Sequence, residues 1–154
     1  MPRRLTQASL STGARQLADA DPDLGGVLDR LGEPPMWGRR PGFSALVRII
    51  LEQQGVPGLG PWSVDIYYLM ALRRPDVWPR GDLALALALR EVKRLDDLPT
   101  KDEQQALASA WAPWRSVAAR LLWAHYLAAR GQYPARPDNK PFQSDGAGAP
   151  PLKR

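Results

Sequence analysis

Apolar residues recur along this chain at helical spacing, and no stretch alternates convincingly as a strand would. From about Leu5 to Ala20 the pattern is polar with sparse apolar positions, a weak helix. Asp21-Pro22-Asp23 then supplies a capping carboxylate and a proline at the first helical position, opening a short helix to Leu31. Gly32 to Gly42 is a Pro/Gly linker. Phe43, Leu46, Val47 and Ile50 mark the buried face of another helix, ending at Gln53-Gln54 with Gly55 as its stop. Pro61 starts the next helix, through Val64, Tyr67, Tyr68 and Ala71 to Leu72. Arg73 to Gly81 reads as a loop. Asp82 opens a helix over Leu83 to about Arg94. Its Leu/Ala alternation has a period of two, but both residues are strong helix formers. Lys101 to Trp111 is a further helix, and Pro113 opens the last one, through Ala118, Leu121, Leu122 and Tyr126 to about Arg130. From Gly131 the chain is rich in Pro, Gly and charge and reads as a disordered tail. The expected fold class is all-α, without internal repeats.

Composition narrows the chemistry. A chain of 154 residues is one domain by length. A formal charge of +5 and a pI of about 10.0 favour an anionic partner, nucleic acid first. Of the 21 basic residues 17 are Arg, a bias that genome composition alone also produces. With no cysteine there are no disulfides, thiolate zinc sites, cysteine-bound iron–sulfur clusters or cysteine nucleophile. The longest apolar run, Leu83 to Leu89, is far short of the roughly 20 residues that span a bilayer. The N-terminus lacks the apolar core of a signal peptide. The expectation is a soluble, cytoplasmic protein without membrane contact, found on the bacterial nucleoid when bound to DNA.

The most informative stretch is Val56-Pro57-Gly58-Leu59-Gly60-Pro61-Trp62-Ser63, a Gly/Pro corner between two helix-like segments. Glycines allow positive φ and close backbone approach, and Pro61 pre-sets helix entry. The free N–H groups at the helix start, with the dipole behind them, suit a DNA phosphate without sequence readout. Leu59 at the tip suits shallow insertion toward the minor groove. The same residues also suit an ordinary corner between helices. Asp82, twenty residues past Trp62, heads the following helix as a lone carboxylate, where capping is a frequent role.

The whole pattern resembles the helix-hairpin-helix base-excision DNA glycosylases. Gly60-Pro61-Trp62-Ser63 followed by Gly81-Asp82-Leu83 is similar to the 3-methyladenine DNA glycosylase II family within them. Phe43 to Gln54, Asp76-Val77-Trp78-Pro79, and Trp111-Ala112-Pro113-Trp114-Arg115-Ser116 through Trp123 agree with the same family, in the right order. The resemblance covers roughly residues 20 to 130. It implies an N-terminal helical extension over 1–20, a shortened glycosylase-like helical domain over 21–130 and a tail over 131–154. It makes Asp82 the catalytic aspartate, Trp62 and Trp123 the base-binding aromatics, and Gln54, Gly58, Leu59 and Gly60 the DNA contacts. Glycoside hydrolysis usually takes two carboxylates. A purine alkylated at a ring nitrogen is already a cation and leaves without protonation, so one carboxylate suffices. A cationic purine also favours an electron-rich aromatic slot once flipped from the stack.

The implied function is monofunctional release of alkylated purines, of the 3-methyladenine and 7-methylguanine type, from double-stranded DNA in base excision repair, by a monomer. No cofactor is implied; a monovalent cation on the hairpin backbone carbonyls is the one candidate ligand. Bifunctional relatives such as endonuclease III carry a lysine at the place of Trp62, and tryptophan has no amine for a Schiff base. Trp37, Trp78, Trp111 and Trp114 are read as core. The lone His125 is read as surface or core polar, Arg115 as solvated in preference to a phosphate contact, and Asp65 as a capping or pairing residue. One departure is large. In the family several helices separate the Gln-Gln pair from the hairpin, whereas here Gln53-Gln54 runs directly into Gly55, as if by an internal deletion. A catalytically impaired or non-enzymatic DNA-binding module is therefore the alternative.

Overall fold

A computed structural model describes residues 4–37 and 61–133. The expected helix Phe43–Gln54, the deletion point, the hairpin Val56–Gly60 with the Gln54, Gly58, Leu59 and Gly60 contacts, and the tail from residue 134 lie outside the described residues. Among the described residues there are six α-helices and no strand: α1 (Gln7–Ala20), α2 (Pro22–Leu31), α3 (Pro61–Ile66), α4 (Leu83–Lys93), α5 (Lys101–Ser109) and α6 (Arg115–Ala129). The all-α expectation holds for them. None is long and apolar enough to cross a membrane.

Side chains cap α1, α2, α4 and α5: Asp21 and Asp82 as expected from sequence, Thr6 and Thr100 in addition. Thr6 and Ser9 make a reciprocal capping box at the start of α1. Asp21 caps α2 through the Asp23 and Leu24 N–H groups, with Pro22 just inside the helix. Thr100 caps α5 through Glu103 N–H. Three boundaries differ from the sequence reading. The helix begun at Pro61 does not stay α-helical to Leu72 but passes at Tyr67–Ala71 into a π-helical turn. The helix from Lys101 stops at Ser109, and Trp111 lies in the turn beyond it. Pro113 does not open the last helix, which starts at Arg115 after that same turn. Beyond α6, Gly131 and Gln132 donate back to the Ala128 and Leu127 carbonyls, so the stretch expected to be tail begins as a helix closure.

Helix α6 is the axis of the fold. It packs against α1, α2, α4 and α5, and every residue from Ser116 to Ala124 is buried. A helical stretch buried on every side, and apolar but for Ser116 and Arg120, is an interior one. Leu10, Ala14 and Leu17 of α1 and Leu24 and Val27 of α2 face it from one side. Leu85, Ala88 and Leu89 of α4 face it from the other, which resolves the ambiguous Leu/Ala alternation as a helical stripe. Trp78, Trp111 and Trp114 fill the core as expected.

Two contacts fix how the outer helices sit. At Gly13 a Cβ would stand 2.7 Å from the ring of Trp114, whose indole N–H donates to Gln16 on the same helix at 2.6 Å. Gly13→Ala therefore drives a methyl into a rigid ring. Overpacking of this kind costs about 1–3 kcal/mol, which outweighs the helix-propensity gain of roughly 0.5–1 kcal/mol. A lower thermal midpoint is expected, and an unchanged or higher one would show that α1 can shift.

Asp21 is the second fixture. Its Oδ2 accepts from Lys93 Nζ at 2.7 Å and Trp111 Nε1 at 2.8 Å, joining α2, α4 and the α5–α6 turn. Burial opposes its charge, but the Lys93 ammonium, the Trp111 indole and the backbone N–H of Asp23 more than offset that and hold the carboxyl below its ordinary 3.8. A depressed carboxyl contributes stability that is complete above the unfolded value and is lost as pH falls through the folded one. Asp21→Asn should therefore cost about 1–3 kcal/mol at neutral pH. Melting curves of the two proteins should converge as pH drops below 4, and a gap that persisted at pH 2 would contradict this.

Candidate active site

Asp82 is delivered by a loop clamped at both ends. At one end Arg80 forms a two-pronged pair with Asp65 of α3, at 2.9 and 3.3 Å, and its backbone N–H adds a third bond at 3.0 Å. At the other, Arg115 at the start of α6 pairs with Asp76 at 2.8 and 3.0 Å, and Ser116 accepts from Val77 N–H at 2.9 Å. The hydrogen bonds to these carboxylates raise both arginines' pKa above the ordinary value. Asp65 is thus a pairing residue, as expected. Arg115 is engaged by Asp76 rather than simply solvated, a correction of the sequence reading.

The chain then turns at Gly81, whose φ of +78° suits glycine. A Cβ there would come within 3.0 Å of the Lys101 side chain. Directly after it, Asp82 caps α4, its Oδ1 accepting from Leu85 N–H at 2.9 Å. The capping role and the placement of a carboxylate for chemistry are served by the same conformation.

Around that carboxylate the structure gathers both tryptophans singled out from sequence. Trp62 Nε1 donates to Asp82 Oδ2 at 2.8 Å. Trp123 Nε1, from the central helix, donates to Oδ1 at 3.4 Å. Asp82 and Trp123 are each only 8% exposed, so these bonds lie in a poorly hydrated setting where they count for more than in water. Trp62 is half-buried. The base-stacking expectation did not include these N–H bonds: the indoles present both a ring face and a donor edge.

Several neighbours escaped the sequence reading. Trp37, assigned to the core, is partly buried against it and meets Trp123 edge-to-face at 6.5 Å, with Tyr133 edge-on to Trp37 at 6.5 Å. Its φ of +42° is unusual for a bulky residue. Arg120, one turn before Trp123, is completely buried and donates to three backbone carbonyls, those of Met36, Ser116 and Leu69. Burial and the like charge of Arg73 pull its pKa down to about 9, still above neutrality. A charged residue inside Val117-Ala118-Ala119-Arg120-Leu121-Leu122 was the available signal. His125 sits between Arg30 at 3.1 Å and Glu91 at 2.8 Å, a polar link as expected. Among the described residues no group of three His, Asp or Glu side chains is placed to hold a metal ion.

Chemically, then, this is one dry carboxylate with three N–H donors, set beside aromatic rings. Comparison with known proteins points the same way. No family model matches the chain. It is 37% identical over 68 residues to the "Putative DNA-3-methyladenine glycosylase YfjP" of Bacillus subtilis, an alignment covering 44% of this chain and 24% of that one. It is 34% identical over 82 residues to "DNA-3-methyladenine glycosylase 1" of Schizosaccharomyces pombe, covering 53% of this chain and 36% of the relative. A DNA-3-methyladenine glycosylase of Bacillus subtilis is 31% identical over 68 residues, covering 44% and 22%. The chain thus matches between about a fifth and a little over a third of the length of these relatives.

Proposed function

The chain resembles the DNA-3-methyladenine glycosylase family, and on that premise we propose that it hydrolyses the N-glycosidic bond of alkylated purines in double-stranded DNA, acting as a monomer. The observation that carries this reading is the meeting of Asp82, Trp62 and Trp123, three residues far apart in sequence, at one buried carboxylate.

The flipped nucleotide presents a purine that is cationic because a ring nitrogen is alkylated. The faces of Trp62 and Trp123 attract that cation. The C1′–N bond breaks with its electron pair going to the base, which leaves neutral and needs no acid. Positive charge develops at C1′ and the ring oxygen, and the Asp82 anion stabilises it. Water adds its oxygen to C1′, and its proton passes to Asp82 and then to solvent. Trp62 offers no amine, so no Schiff base forms and the strand stays intact. Gln54, Gly58, Leu59 and Gly60 are proposed to hold the DNA backbone. No cofactor takes part, with a monovalent cation on the hairpin carbonyls the sole proposed ligand.

The test is incubation of the protein with methylated duplex DNA and chromatography of the bases released. Release of 3-methyladenine or 7-methylguanine without strand scission is expected. Absence of release above an Asp82→Asn background would overturn the enzymatic reading. One observation favours a second reading: Gln53-Gln54 running directly into Gly55 leaves less chain for the DNA-binding surface. DNA retention that weakens steeply with salt, without base release, would identify a binding module instead.

A further inference from the structure

The chain contains its own comparison for the Asp82 site. Asp21 is also a helix-capping aspartate that accepts an indole N–H, that of Trp111. There, both oxygens are doubly engaged: Oδ1 by the Asp23 and Leu24 N–H groups, Oδ2 by Trp111 and Lys93. Asp21 is a saturated, charge-neutralised fixture. At Asp82, Oδ1 is likewise doubly engaged, by Leu85 N–H and Trp123 Nε1. Oδ2 takes a single donor, Trp62 Nε1, and no Lys or Arg among the described residues pairs with the carboxylate. A carboxylate oxygen accepts about two hydrogen bonds. Among the described residues the open acceptor position of this buried group is therefore on Oδ2, and only hydrogen-bond dipoles face its charge.

The geometry points to Trp62 and Trp123 as positioning residues. Their indole N–H groups fix the rotation of the Asp82 carboxylate and leave Oδ2 as the one oxygen that meets the sugar and takes the proton of the attacking water. This rests on the glycosylase reading but assigns the tryptophans a task distinct from stacking the base. Three donors from three elements, the start of α3, the first turn of α4 and the centre of α6, leave the carboxylate no freedom to turn. Holding the reacting atom in place before the substrate arrives is what makes such a group effective.

Trp→Phe separates the two tasks, since phenylalanine keeps an aromatic face and lacks the N–H. Trp62 is half-buried at the edge of the core, so Trp62→Phe disturbs packing less than Trp123→Phe would. Single-turnover release from a duplex carrying one 7-methylguanine should slow about 10- to 100-fold in Trp62→Phe, the range for losing one hydrogen bond to a charged group. Binding of the duplex should weaken by no more than about fivefold, the difference a weaker cation–π face makes. The same substitution placed on Asp82→Asn should change the residual rate less than twofold, because its effect passes through the carboxylate. Equal losses in both backgrounds, or a weakened affinity at unchanged rate, would overturn the inference and leave Trp62 a stacking residue only. If the wild-type protein releases no base, the glycosylase reading fails. The inference is then decided by NMR of the side-chain N–H signals, with those of Trp62 and Trp123 assigned by their loss in the Phe variants. At least one moving upfield in Asp82→Asn, whose amide cannot accept from both indoles, would uphold the hold on the carboxylate. Both staying put would overturn it.

Discussion

Asp82→Asn should lower the rate of base release by about 10²- to 10⁴-fold, the range that a positioned proton-accepting group contributes, while stability falls by only about 1–3 kcal/mol, the cost of the one indole N–H that the amide no longer accepts. The two halves of that expectation have separate causes. Asparagine is as good a helix cap as aspartate, and its side-chain oxygen can still accept from Leu85 N–H, so α4 keeps its start. What disappears, on the proposed mechanism, is the negative charge facing the developing cation at C1′, together with the acceptor for the water's proton. Asp82→Ala would confuse the two, because it removes the cap as well. Single-turnover kinetics alongside a thermal melt make the distinction. A fall in rate that tracked a fall in midpoint would mean that Asp82 matters only as a cap.

The second large effect is expected at Arg120. Its guanidinium spreads three donors over the carbonyls of Met36, Ser116 and Leu69. The Leu69 carbonyl lies near the end of the π-helical turn, where the last carbonyls lack partners within the helix. Arg120→Ala leaves the buried Leu69 carbonyl and the partly buried Met36 carbonyl without this donor and a cavity in the central helix packing, a cost of about 3–5 kcal/mol. For a domain of this size that lowers the midpoint by about 10 °C. Arg120→Lys should recover only part of it, because an ammonium cannot reach three divergent carbonyls as a planar fork does. A melt of Arg120→Ala within 2 °C of wild type would show that water or repacking replaces the fork. Because Arg120 lies one turn from Trp123, the Ala variant should also disturb the Asp82 site.

Much of this was legible from sequence, and unevenly so. The caps at Asp21 and Asp82 and the helical stripes were readable because they depend on neighbours within a turn. Asp82 with Trp62 and Trp123 came from resemblance, and the structure added that the indole N–H groups, rather than the ring faces alone, meet the carboxylate. What could not be read were contacts set by the three-dimensional arrangement: Arg115 on Asp76, Trp37 on Trp123, and the carbonyl cradle of Arg120. Helix ends were misplaced where tertiary contacts decide them. Ser116 N–H, for instance, is satisfied by the Pro75 carbonyl, so α6 starts at Arg115 without Pro113 inside it.

The two tryptophans that hold Asp82 belong to very different parts of the protein. Trp123 sits in α6, whose residues from Ser116 to Ala124 are all buried. Amides of such an element exchange with solvent only when the whole domain unfolds. Trp62 sits near the start of a six-residue helix and is half-buried. A helix that short closes few internal hydrogen bonds, so its hold depends on tertiary contacts such as the Arg80–Asp65 clamp. The carboxylate is thereby held on one side by a fully buried stretch of the central helix and on the other by a half-buried side chain of a short one. On the proposed function, a bulky flipped base would be admitted from the more exposed Trp62 side, with Trp123 as the fixed wall.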